Sequence, residues 1–146
     1  MAHIRKSIRE NIGTALTGLS TTGSSVFESR TFPLNFSNLP ALLVYTKDEE
    51  ISEYSLRNPR TQFRQLQVVI EAHIKGTSNI DDTIDTIAEE VEEAMVSDIT
   101  RGGHAKDTRL QSTEIEFEEA TSKVGLGRFT YVIDYATVEN AVQTGV

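Results

Sequence analysis

The chain has 146 residues, which suits a single domain and leaves little room for a second. With 0 cysteines it is denied disulfides and cysteine-based zinc sites, and its net charge of −8 argues against nucleic acid as the main partner, because binding phosphates needs a concentrated basic face. No apolar run approaches the roughly 20 residues of a membrane helix, and the polar, basic start (His3, Arg5, Lys6, Arg9) predicts neither a signal peptide nor a membrane partner.

Residues 3–19 predict an amphipathic helix. Ile4, Ile8, Ile12, Ala15, Leu16 and Leu19 recur at spacings of three and four, which stacks them on one face. Ser20 to Ser25, rich in small hydroxyl residues with Gly23, ends it. Val26 to Arg30 predict a short strand, and Thr31-Phe32-Pro33-Leu34 an extended segment, since proline disfavours helix in the residue before it. Ala41–Tyr45 is continuously apolar, as in a strand buried on both faces. Residues 46–60 are charged and contain Asn58-Pro59; they predict a loop or an extended hairpin arm carrying Ile51, Tyr54 and Leu56 as apolar anchors.

Residues 61–75 form the clearest strand. Leu66, Val68, Ile70, Ala72 and Ile74 alternate with Gln65, Gln67, Glu71 and His73, so period two turns the first set toward a core. At full extension such a strand spans roughly 45 Å, long enough for its end to project beyond the core. Ser78 or Asn79 can cap a helix over 80–96, in which Ile80, Ile84, Ile87, Ala88, Val91, Ala94 and Met95 make the buried stripe. Its opposite face carries Asp81, Asp82, Asp85, Glu89, Glu90, Glu92 and Glu93.

A polar loop, Asp98 to Asp107, leads into two closing strands. The first alternates Thr113, Ile115 and Phe117 with Glu114, Glu116 and Glu118; the second holds Phe129, Tyr131, Ile133 and Tyr135, with Gly125 and Gly127 read as the turn between them. Residues 138–146 lack a pattern and predict a tail that is mobile or ordered by a partner, leaving 1–137 as one domain. The order of elements predicts an α+β fold, an antiparallel or mixed sheet with two main helices packed on one face.

Motifs that carry chemistry are missing from the sequence. There is no phosphate-binding loop, no G-x-S-x-G and no H-E-x-x-H, and no cysteine to act as a nucleophile. His3, His73 and His104 share no metal-ligand spacing. Asp81, Asp82 and Asp85 lie on a helix, where neighbouring side chains diverge by about 100°, whereas calcium needs oxygens that converge. The Glu114, Glu116 and Glu118 row predicts an outward or interface-facing set, because like charges on one strand repel unless cations from a partner meet them. No catalytic residue, cofactor site or metal site is therefore expected.

Charge is segregated. Arg5 and Arg9 at the start, and Arg57, Arg60 and Arg64 around the arm, are expected to meet the acidic helix face (Asp85, Glu89, Glu93) of a neighbouring copy, a contact between unlike surfaces that generates rings when the rotation closes. Ile51, Tyr54 and Leu56 join them as candidate interface residues. A small hydrolase using the glutamate row and His73, or a monomeric binding module, are the competing classes. An enzyme requires convergent polar groups with perturbed acids, which the sequence does not supply.

Particular strings carry a further signal: His3-Ile4-Arg5…Ile8-Arg9, Leu16-Thr17-Gly18-Leu19-Ser20-Thr21-Thr22-Gly23, Val26-Phe27-Glu28-Ser29-Arg30, Leu39-Pro40-Ala41-Leu42-Leu43-Val44-Tyr45, Asp81-Asp82…Ile87-Ala88…Val91-Glu92 and Gly102-Gly103…Ala105-Lys106-Asp107. In order and spacing, over about residues 3–137, the chain resembles tail terminator proteins (minor tail protein U type) of long-tailed bacteriophages. The resemblance implies a structural subunit of the virion, assembled in the host cytoplasm. It implies a homo-hexameric ring on the head-proximal end of the tail tube, which stops tube polymerisation and presents a surface to the head-tail connector or stopper protein. Tail tube protein and connector are the implied partners, with DNA only passing through the lumen. Head-side stopper and adaptor proteins, similar in size, are the alternative roles.

Overall fold

A computed structural model describes residues 3–28, 40–53, 58–75, 79–119 and 123–146. Its elements follow in the order α1 (Ile4–Leu16), β1 (Val26–Phe27), β2 (Ala41–Glu53), β3 (Thr61–Lys75), α2 (Ile80–Val96), β4 (Asp107–Glu119), β5 (Lys123–Val138) and β6 (Ala141–Gly145). The strands form one six-stranded sheet in the order β1-β2-β3-β5-β4, with β6 also paired to β5. β1 runs parallel to β2; the other pairs are antiparallel. The sheet is thus mixed, and the fold is α+β.

The core lies between one face of this sheet and the two helices. The even positions of β3, Leu66 to Ile74, stand beside Ile133, Tyr131 and Phe129 of β5 and beside Val44 and Leu42 of β2. Ile4, Ile8, Ile12 and Leu16 of α1 and Ile84, Ile87, Val91 and Met95 of α2 close over them, all fully buried. Each helix buries a single stripe at helical spacing, as the periodicity requires.

Several expectations are corrected. The first helix stops at Leu16, not Leu19: Thr17 leaves helical geometry, and Leu19 instead forms a bridge with Gly23, whose φ of 58° suits glycine. The short strand ends at Phe27 within the described residues; Ser29, Arg30 and the extended segment 31–34 lie outside them. The arm is a real hairpin arm, since β2 continues to Glu53 and pairs with β3 out to Gln62. β3 does not project alone, because β5 pairs with it from Lys75 back to Thr61. Asn79 stands at the start of α2 in left-handed geometry and makes no side-chain cap bond; its carbonyl accepts from Thr83 instead.

Gly125 and Gly127 are not a turn. Both lie inside β5, opposite Ile74 and Ala72. A Cβ on Gly127 would come within 3.0 Å of Ile84 Cγ2, and one on Gly125 would collide with Ile80 and Ile74. These glycines let α2 lie close against the sheet. Finally, residues 141–145, expected to lack regular structure, form β6, which continues along the same side of β5 as β4.

Candidate assembly interface

A bulge builds the base of the hairpin arm. From Thr46 to Glu49 β2 advances three residues while β3 advances two, from Val68 to Leu66. Period two then inverts, so that Glu49 and Ile51 take the face that Leu42 and Val44 held before it. Glu49 is thereby aimed at the rim of the core. Arg5 donates to its Oε1 at 2.9 Å and Arg64 at 2.7 Å, while the Tyr135 hydroxyl donates to Oε2. Arg64 also donates to Thr137 Oγ1 at 3.0 Å and to Gln62 Oε1 at 2.9 Å. Burial, and then the bond to Glu49, push the Tyr135 hydroxyl up in pKa; burial, and then the cations of Arg5 and Arg64, pull the His3 imidazole down.

The opposite face of the sheet carries a polar network around an open cavity of about 650 Å³. Glu71 is its centre. His73 Nε2 lies 3.0 Å from Glu71 Oε1, Arg128 donates to Oε2 at 3.2 Å, and the Tyr45 hydroxyl donates to the same oxygen. The hydrogen bond with His73 is the largest influence on Glu71; with Tyr45 and Arg128 it overcomes burial and holds the carboxyl at about 2. Arg128 reaches on to Glu114 at 3.1 Å and Glu116 at 3.5 Å. The cation that answers this glutamate row therefore comes from the chain's own β5, the neighbouring strand. Nearer the arm, Asp134 takes Arg109, and Gln67 donates to Gln111 at 3.1 Å. Among the described residues no group of three or more histidines or acids is arranged to hold a metal ion.

The candidate interface residues separate into two regions. Asp85, Glu89 and Glu93 form an exposed i, i+4 row along the outer side of α2. Glu90, beside them, turns inward and accepts from the Thr21 N–H at 3.0 Å and the Thr21 hydroxyl at 2.6 Å. Arg5 and Arg64 gather at Glu49, Arg60 lies 3.7 Å from Glu139 where β3 begins, and Ile51 is half exposed on the arm. Arg9 is half-buried on α1. Tyr54, Leu56 and Arg57 lie outside the described residues. The pattern brings Arg5, Arg60 and Arg64 to the arm, with Arg64 nearly enclosed, and leaves the acidic row in solvent.

Two features were not legible from residue type. Arg101, in the loop expected to be merely polar, is fully buried with a φ of 50°. It donates to the carbonyls of Met95 and Asp98 and so closes the C-terminal end of α2, where carbonyls lack helical partners. Burial pulls its guanidinium pKa down. The second is a groove of about 450 Å³ between the end of α2 and the start of β4, lined by Met95, Val96, Thr108, Leu110 and Tyr131, with Glu92, Glu93 and Arg109 as its charged residues. The only hint in the sequence was the apolar character of Val96 and Leu110 within otherwise polar surroundings.

Comparison with known proteins gives a family and a fold likeness. The family model described as phage minor tail protein U matches residues 3–135. No curated protein matches the chain. Among solved structures, a chain of the virion of a native gene transfer agent (GTA) particle is similar at 12% identity and a TM-score of 0.46, over 90% of this chain and 91% of that one.

Proposed function

The chain belongs to the phage minor tail protein U family, and from that premise we propose that this tail structural protein acts as a tail terminator. Six copies close into a ring on the head-proximal end of the tail tube, stop further tube growth and offer the opposite surface to the head-tail connector. It works by assembly, without catalysis, in the virion and, before that, in the host cytoplasm. The observation that carries this reading is the family match over almost the whole folded chain.

Surface chemistry supports a ring. Basic side chains gather around the arm while the acidic row of α2 stands in solvent, so the two regions are unlike surfaces that can meet head to tail between copies. A net charge of −8 also suits a channel through which DNA passes without being held.

The test is mass by light scattering on a sizing column, for the protein alone and with purified tail-tube ends. A hexamer, or subunits retained at one end of each tube, is the expected result. Reversing Asp85, Glu89 and Glu93 to lysine should abolish it, and so should about 1 M salt, where the screening length falls to about 3 Å. A monomer that ignores tube ends but binds the head connector would overturn the terminator role in favour of a stopper or adaptor.

A further inference from the structure

We propose that the free edge of β4, together with the groove beside it, is a docking site for an extended basic segment of another tail protein, which adds to the sheet as a further strand. This rests on reading the chain as an assembly subunit.

β4 ends the strand order, and among the described residues no strand pairs with its outer edge. Beyond the register shift at Leu110/Ser112, its run from Ser112 to Glu119 pairs without a break against Thr130 to Lys123. Such a straight edge presents a row of backbone N–H and C=O groups, a template for strand addition. Side chains from Arg109 to Glu116 are exposed on both faces, because α2 stops short of covering this strand.

Exposed apolar side chains concentrate here. Of the six large exposed ones among the described residues, two lie on β4, Leu110 (37%) and Ile115 (50%), and two beside its start: Val96 (69%) at the end of α2 and Ile99 (40%), whose carbonyl accepts from Thr108. The groove of about 450 Å³ lies between Val96 and Leu110, and Tyr131, whose buried hydroxyl finds no partner, contributes to its lining. An inserted apolar side chain would cover Met95, Val96 and Leu110, and a polar atom beside it could meet Tyr131.

Charge selects the occupant. Glu92 and Glu93 border the groove, where the one cation, Arg109, is already engaged by Asp134 and Asp107, and Glu114 and Glu116 project from β4 at 58% and 60% side-chain exposure, sharing Arg128 among the described residues. A strand alternating basic and apolar residues matches both faces of this edge. A second copy matches less well, since the chain is acidic overall and the stretch of β2 left unpaired among the described residues, beyond its two-residue pairing with β1, carries Asp48 and Glu50 beside Lys47.

The probe is a peptide of about nine residues alternating lysine and valine, within the usual range of strand lengths, with a glutamate–valine peptide as control. Binding is followed by fluorescence anisotropy and by amide exchange. The lysine peptide should bind, should slow exchange along Ser112 to Glu116, and should weaken about tenfold or more between roughly 0.01 M and 1 M salt. Val96→Lys with Leu110→Lys, both exposed and tolerable to the fold, should weaken it about tenfold. Glu114→Lys with Glu116→Lys should transfer the preference to the glutamate peptide. No binding, slowed exchange on β2 instead, or indifference to these changes would overturn the proposal. So would self-association that Leu110→Lys abolishes, because the occupant would then be a second copy. If wild type holds tube ends while the peptide fails, this inference alone falls; if the peptide binds while tube ends are ignored, the terminator reading alone falls.

Discussion

Glu49 and Arg64 lie 2.7 Å apart across the base of the hairpin arm, with side chains only 7% and 8% exposed. Removing Glu49 leaves the Arg64 charge in a low-dielectric rim without its counterion, so Glu49→Ala should lower stability by about 3 kcal/mol. Arg5, the other cation on Glu49, is 40% exposed, and Arg5→Ala should cost less than about 1 kcal/mol. Urea unfolding of the two variants checks this; equal losses would mean that the arm does not depend on the buried pair.

Glu71 should make stability fall in acid. Its folded pKa is about 2 against an ordinary 4.5, depressed first by the hydrogen bond with His73. A depressed carboxylate contributes stability that is complete above its unfolded pKa and lost as pH falls through the folded one. The gap in urea midpoint between wild type and Glu71→Gln should hold steady near neutrality and shrink from 4.5 toward about 2. A gap unchanged over that window would refute the assignment.

Gly125 should resist enlargement although its backbone is ordinary strand. Gly125→Val would press on Ile80 and Ile74 and lift the start of α2 from the sheet, at a cost of about 1–3 kcal/mol. Amide exchange in α2 should accelerate in the variant. An unchanged helix with unchanged stability would show that the neighbours yield freely.

At Arg101 the backbone and the side chain can be tested apart. Alanine and glycine both delete the guanidinium that closes α2, so both should destabilise. Glycine alone accepts a φ of 50° without strain, so Arg101→Gly should be more stable than Arg101→Ala by about 1 kcal/mol. Thermal unfolding of the pair decides it, and the reverse order would place the whole effect in the side chain.

Much of the fold was legible because its elements are long and their periods clean. β3 keeps its alternation over Leu66 to Ile74 except at Val69, which is buried on the other face, and α2 keeps its stripe from Ile84 to Met95, so the period identifies each. The acidic helix face was legible as charge: Asp85, Glu89 and Glu93 do form one solvent-facing row. The destination of the basic residues was not, because whether Arg64 meets solvent or Glu49 depends on a bulge in another strand. Because Ala41 to Tyr45 are all apolar, no change of period in the sequence marks that bulge.

The sequence by itself determined the α+β class, the two helical stripes, the long central strand and the family, all of which depend on local spacing or on residue strings. Only the tertiary structure decided that Gly125 and Gly127 admit a helix instead of turning the chain, and that Arg101 is buried. It also decided that Arg128 answers the glutamate row and that residues 141–145 make a strand. Each of these depends on which distant backbone lies alongside, and a side chain's own neighbours in sequence carry no record of that.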